Sequence, residues 1–339
     1  MKVLLVTRLD GWWEGYAEQI VHAFDGCDVV CRPLDYQRAK RGRLQRLWRK
    51  SSDDSDLRRR RAELVIREAR DFQPDVILVH GRRLDFPRLR DGTEARIVFW
   101  DIEGPTGGIA LGDVGMDGSV DMLLSASSRI VRLHADVGVP IHYVPHAVDV
   151  DLHAPRDLGE RQRRRFGSPL SFVGTPDERR ARYLELLATH GLTVWGHRWS
   201  KAKWRSDLLQ PCLRESCDVF GRDLIDLYQS TTVYVNILSE RHSQEPSLLN
   251  LQAFAVPAAG TCLLTEWTEE LDAAFEVGKE VLAFRSSDEL VELAVQYASD
   301  PQAAKRIGVR GRERCVAEHS FSHRVRRILE LTAGIGAVR

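Results

Sequence analysis

Short apolar runs recur along the chain, each followed by a longer segment whose apolar positions fall three or four residues apart. The runs predict buried strands and the longer segments amphipathic helices. Strands are expected at Lys2–Val6, Asp28–Cys31, 75–80 (DVILVH), 96–101 (RIVFWD), Val120–Ser125 and Ile141–Val144. Helices are expected at Trp13–Ala23 and over AELVIREARDF, before the third strand. The pattern restarts at Pro169 with 169–175 (PLSFVGT), 192–196 (LTVWG), 232–238 (TVYVNIL), 261–265 (TCLLT) and 280–284 (EVLAF). A helix over DERRARYLELLATH lies within this second series, and from Asp288 onward the chain reads as mostly helical. Strands that are apolar throughout and alternate with helices define parallel sheets covered on both faces.

Between the two series, residues 149–168 carry charge, Pro and Gly and few apolar positions, which reads as a linker. The expected organisation is a Rossmann-like domain over 1–150, a linker over 151–168, a second Rossmann-like domain over 169–320 and a C-terminal helix over 321–339. The fold class is α/β, with two doubly wound domains facing across a cleft. In such sheets ligands sit at the carboxyl ends of strands, so the residues that follow strands deserve most scrutiny.

Composition narrows the picture. At 339 residues the chain exceeds one ordinary core, and 43% apolar with 29% charged residues is a globular balance. The formal net charge is zero, so no global attraction to nucleic acid or anionic membrane is expected. No apolar run is long enough for a membrane span, and MKVLLVTRLDGWW lacks the features of a signal peptide, so a cytoplasmic protein is expected. The six cysteines, including Cys212 and Cys217, form no C-x-x-C pair, and no metal site is expected. Charge is concentrated at 38–61, where an arginine-rich stretch is interrupted by Asp53, Asp54 and Asp56. Two readings stand: a solvated face, which we favour, or a patch for an anionic acceptor such as nucleic acid.

Several strand ends carry chemistry. Asp10 and Gly11 follow the first strand, either as an ordinary turn or as a wall of an acceptor site; the G-x-G-x-x-G dinucleotide fingerprint is absent. Asp101 and Glu103 end the 96–101 strand and suit either sugar hydroxyls and acid–base work or the capping of a turn. His146 lies just past a strand, ahead of the linker. Gly174 and Thr175 form a small turn between a strand and a helix start, where a diphosphate could approach backbone amides.

Several ordered segments together resemble one family: SFVGTPDERRARYLELLATHGLTVWG, LIDLYQSTTVYVNIL, the run from SLLNLQAFAVPAAGTCLLTEW to YASDP, and RERCVAEHSFSHRVRRILE. They are similar to the CgeB-like, or spore-maturation-type, glycosyltransferases. FWDIEGP and YVPHAVDVDLHAP resemble that family's N-domain segments. The resemblance spans about residues 95–333 and is strongest from 170 onward. It implies a GT-B fold, a nucleotide-sugar donor held mainly by the C-terminal domain and used as a substrate, no separate cofactor, and no obligatory metal. Relatives read R-x-F-E-x-x-A-x-G before the L-L-T strand; here Gln252 stands at the Arg position and Ala255 at the Glu position expected to hold the donor ribose.

Transfer without a metal leaves the departing diphosphate to be stabilised by positive side chains and backbone amides. The donor-side candidates are Gly174, Thr175, Arg179, Arg180, Asn236, Arg241, Asn250, Gly260 and Glu266. Asp10, Asp101, Glu103 and His146 are the acceptor-side, catalytic candidates, with retention of anomeric configuration expected. The alternatives are a sugar-nucleotide epimerase, a nucleic-acid-directed transferase and a non-catalytic binding homologue.

Overall fold

The computed structural model describes residues 1–10, 12–39, 54–81, 83–102, 117–136, 138–199, 206–214, 219–243 and 247–334. Glu103, Gly11, Cys217 and most of the basic segment 38–61 lie outside the described residues, as does the side chain of Arg241. The chain divides into two compact units, Met1–Pro145 with Phe321–Arg339, and His146–Ser320.

The first unit runs β1 (Lys2–Thr7), α1 (Trp12–Asp25), β2 (Val30–Asp35), α2 (Asp54–Phe72), β3 (Val76–Val79), α3 (Phe86–Asp91), β4 (Arg96–Asp101), β5 (Met122–Ser125), α4 (Ser128–Leu133) and β6 (Ile141–Tyr143). Its six strands form one parallel sheet in the order β2-β1-β3-β4-β5-β6. Leu4, Val6, Ile77, Val79, Ile97 and Phe99 point from one face into a core shared with Val65, Ile66 and Leu89 of α2 and α3. Alternation sends Val3, Leu5, Leu78 and Trp100 to the other face, where they too are fully buried. That is why these strands read as continuous apolar runs.

The second unit runs α5 (Glu160–Phe166), β7 (Ser168–Val173), α6 (Glu178–Glu185), β8 (Leu192–Trp195), α7 (Gly221–Ser230), β9 (Thr231–Asn236), α8 (Glu240–Ser243), α9 (Gln252–Ala258), β10 (Cys262–Glu266), α10 (Glu269–Ala274), β11 (Leu282–Phe284), α11 (Ser287–Ser299) and α12 (Pro301–Glu318). Its five strands form a second parallel sheet in the order β11-β10-β9-β7-β8. Two apolar layers sandwich it. One contains Leu170, Phe172, Val233, Val235 and Leu264, and the other Tyr234, Phe254, Leu263 and Phe275.

Two segments fall differently from the sequence reading. The stretch taken as a linker is packed into the second unit. Asp149 caps its turn by accepting from the amides of Asp151 (3.0 Å) and Leu152 (2.9 Å). Gln229 donates to the carbonyls of His153 and Ala154, Arg156 pairs with the buried Asp226, and Phe166 enters the core. The last helix, α13 (Phe321–Gly334), belongs to the first unit. Its apolar stripe of Phe321, Val325 and Ile328 is buried, with Phe321 edge-on to Tyr16 of α1 at 5.1 Å. Arg96 and Arg324 tie it further, through the carbonyls of Thr332 (2.9 Å) and Pro145 (3.2 Å). No described helix is long and apolar enough to cross a membrane.

Candidate functional site

All strands of the second sheet are parallel, so their carboxyl ends lie along one edge. The order reverses between β7 and β9, and a ligand crevice is expected where such a reversal occurs. Gly174 follows β7 there. Its amide donates to Trp195 O (3.0 Å) and its carbonyl accepts from the Trp199 indole (2.8 Å). A Cβ at this position would stand 2.8 Å from the Phe172 ring and 3.4 Å from the Arg180 guanidinium. Space, not backbone conformation, calls for glycine here. A second glycine supports the turn: Gly196, after β8, sits at φ +138° with its Cα against the Gly174 carbonyl, where any Cβ would collide.

Helix α6 starts beside this turn, capped by Asp177, whose carboxylate accepts from the Arg180 amide at 2.9 Å. Its two arginines reach the strand ends. Arg180 donates to Ile237 O (3.0 Å) and to Thr175 O and Oγ1 (3.0 and 3.2 Å). Arg179 forms a two-pronged pair with Glu266 (2.7 Å for each bond) and donates to Leu238 O (2.9 Å). The same Glu266 carboxylate accepts from the Leu238 amide at 2.9 Å. Burial works against the Arg179 charge, and the Glu266 contact more than offsets it. Arg179 and Glu266, placed 87 residues apart in sequence, thus clamp α6 to the ends of β9 and β10.

Asn236, the last residue of β9, is buried and exchanges hydrogen bonds with Asn250 in both directions (3.0 Å each). It also donates to Thr265 Oγ1 at 2.9 Å. Asn250 in turn accepts from the Ala253 amide at the start of α9 (3.2 Å). Gly174, Thr175, Arg179, Arg180, Asn236, Asn250 and Glu266 therefore share one edge. Arg241 belongs to α8, which follows β9. Gly260 does not join them. It precedes β10, at φ +73°, so it lies at the opposite end of that strand, roughly 15 Å away at about 3.3 Å per residue. There it borders a cavity of about 180 Å³ lined also by Arg156, Thr232 and Lys305. Its positive φ ends α9, which is a reason for glycine independent of any ligand. Ala255 is buried among apolar neighbours, next to Phe254 and Val256.

In the first unit, Asp10 stands after β1 in a two-pronged bond with Arg8 (2.9 Å each), and that hydrogen bonding holds its carboxyl below the usual range. Asp101 ends β4 and is buried. His146 is buried at the beginning of the second unit. The sequence reading missed His80 and Thr7. Both are buried at the reversal between β1 and β3, where His80 packs against Trp100 (4.9 Å) and Tyr16 (6.1 Å). The Thr7 hydroxyl has no hydrogen-bond partner among the described residues. The signal for both was a polar residue closing an apolar run.

A twofold repetition of doubly wound parallel sheets is the GT-B architecture of glycosyltransferases. Residues 179–330 match the family model described as glycosyl transferase-like, which begins at the Arg179 clamp. No curated protein matches the chain by sequence. Solved structures share the fold across nearly the whole length. Sucrose-phosphate synthase from Thermosynechococcus elongatus has a TM-score of 0.70 at 14% identity, with 100% of each chain covered. A glycosyltransferase from Rickettsia africae has 0.68 at 12%, with 98% of each covered. Anabaena HepE, solved in complex with UDP and glucose, has 0.67 at 11%, covering 98% of this chain and 99% of that one.

Proposed function

We propose that this chain is a nucleotide-sugar-dependent glycosyltransferase of the CgeB-like type, taking a UDP-linked hexose as donor. One observation carries the reading: the segment matching the glycosyl transferase-like family supplies the Arg179–Glu266 clamp, Asn236 and Asn250 at one strand edge. HepE, of the same fold, was solved with UDP-glucose. In this reading the donor diphosphate lies against the Gly174–Thr175 turn, where backbone groups and nearby cations oppose the charge that grows on the leaving group. Transfer is metal-independent and anomer-retaining, so no dedicated carboxylate base is needed. Asp10, Asp101 and His146 serve the acceptor side.

The buried Ala255, set among apolar side chains, supports a second reading as a non-catalytic binder of nucleotide sugars, since no carboxylate stands there for a ribose. Thermal unfolding with UDP and a series of nucleotide sugars separates the outcomes. A donor at about 100 times its dissociation constant adds roughly 2.7 kcal/mol of stability. Absence of any shift with every nucleotide sugar would refute both readings. A shift with no release of UDP, in the presence of water or sugar acceptors, would select the binder.

A further inference from the structure

The two arginines expected to face a diphosphate are already engaged. Arg179 donates from Nη1 to Leu238 O and Glu266 and from Nη2 to Glu266, and Arg180 donates from Nε to Ile237 O and from Nη1 to Thr175. Each guanidinium thus commits three of its five N–H donors to protein acceptors and keeps fewer for phosphate oxygens. Next along the same edge, the turn after β8 reads Gly196-His197-Arg198-Trp199. Arg198 is exposed, and among the described residues no hydrogen bond or ion pair engages it.

This turn is held under tension. Gly196 sits at φ +138° against the Gly174 carbonyl, and the Trp199 indole is fixed to that same carbonyl at 2.8 Å. Trp199 is buried edge-on to Phe172 at 6.0 Å. Between these anchors Arg198 adopts φ +74°, a left-handed conformation costly for a long side chain. A glycine would hold the turn with less strain, so the fold itself does not call for an arginine here.

We propose that Arg198 is the cation that meets the diphosphate of the nucleotide at this edge, reaching across from β8 toward the Gly174 turn. The inference rests on the nucleotide-sugar reading and names the residue that gives that site its phosphate affinity. Arg179 and Arg180 then act as positioning residues that shape the turn.

The test is calorimetric binding of UDP and of uridine to the full chain, in wild type, Arg198→Gly and Arg198→Gln. Loss of one charged hydrogen-bonding contact should weaken UDP binding roughly tenfold or more in both variants. Uridine, which lacks the phosphates, should bind all three proteins alike. Arg198→Gly should also melt at the same or a higher temperature than wild type, because the left-handed strain is relieved. UDP affinity within twofold of wild type in both variants would overturn the proposal while leaving the nucleotide-sugar reading intact. Parallel losses of UDP and uridine binding would overturn it too, by showing a general disturbance of the site. A wild type that binds neither UDP nor UDP-glucose would overturn both.

Discussion

Replacing Gly196 by alanine tests whether the contact between the β7 and β8 turns is as close as it looks. A Cβ at Gly196 would press on the Gly174 carbonyl, standing 3.0 Å from its carbon and 3.3 Å from the Trp199 indole nitrogen. The obstacle is backbone, which cannot rotate away as a side chain can. At φ +138° the alanine would also sit in a region that side chains avoid, at about 1–3 kcal/mol. Displacing the Gly174 carbonyl weakens its bonds from Trp199 and the neighbouring Gly174–Trp195 bond, at about 1–3 kcal/mol together. Alanine returns about 0.5 kcal/mol by restricting the unfolded chain. The expected net loss is about 3–4 kcal/mol. Gly221 provides the control. It too has a positive φ, +54°, but a Cβ there meets nothing within 4 Å. Only the left-handed penalty applies, and the expected loss is about 1 kcal/mol. Urea titrations followed by tryptophan fluorescence measure both variants against wild type. Equal losses for Gly196→Ala and Gly221→Ala would refute the argument, because the steric part would then be absent.

The Arg179–Glu266 pair, with side chains 19% and 12% exposed, should show strong coupling in a double-mutant cycle. Arg179→Met and Glu266→Gln should each cost about 2–4 kcal/mol, and the double variant should fall short of their sum by about 2 kcal/mol in urea unfolding. His153 is buried, and burial pushes its pKa down to about 4, against the pull of the Asp149 carbonyl at 2.8 Å. Its neutral form is favoured on folding, so its contribution is complete above pH 6.5 and is lost as pH falls toward 4. Relative to His153→Gln, wild type should lose about 2.5 kcal/mol more between pH 7 and pH 4.5, read from urea midpoints; matching pH slopes would count against it. Trp100 is fully buried, and its indole donates to Val144 O at 2.9 Å. Trp100→Phe should cost about 2–3 kcal/mol in thermal unfolding, from an orphaned carbonyl and the space left behind.

The sequence by itself determined the eleven strands among the described residues, each within a few residues of its expected position. A parallel strand covered on both faces must be apolar throughout, so Leu4–Val6, Val76–Val79 and Val233–Val235 announce themselves locally. It also determined which positions close a strand, and hence Gly174, Thr175, Asn236, Glu266 and Asp101 as places to look. Tertiary structure decided what those positions do. Gly260 looked equivalent to Gly174, yet strand direction sends it to the far end of β10. The C-terminal helix looked like an appendage to the second series, yet its stripe of Phe321, Val325 and Ile328 finds its partner in α1, some 300 residues earlier in the chain. Arg179 and Arg180 looked like free cations for a phosphate, yet Glu266, Leu238 O and Ile237 O, which strand order brings within reach, take several of their N–H bonds. Arg198 drew no notice as a charged residue in a loop; its left-handed backbone, two residues after the close approach of Gly196 to Gly174, is what singles it out. Periodicity is written in neighbouring residues and so survives in the sequence. Contacts across a sheet depend on register and strand order, which arise only when distant segments pack.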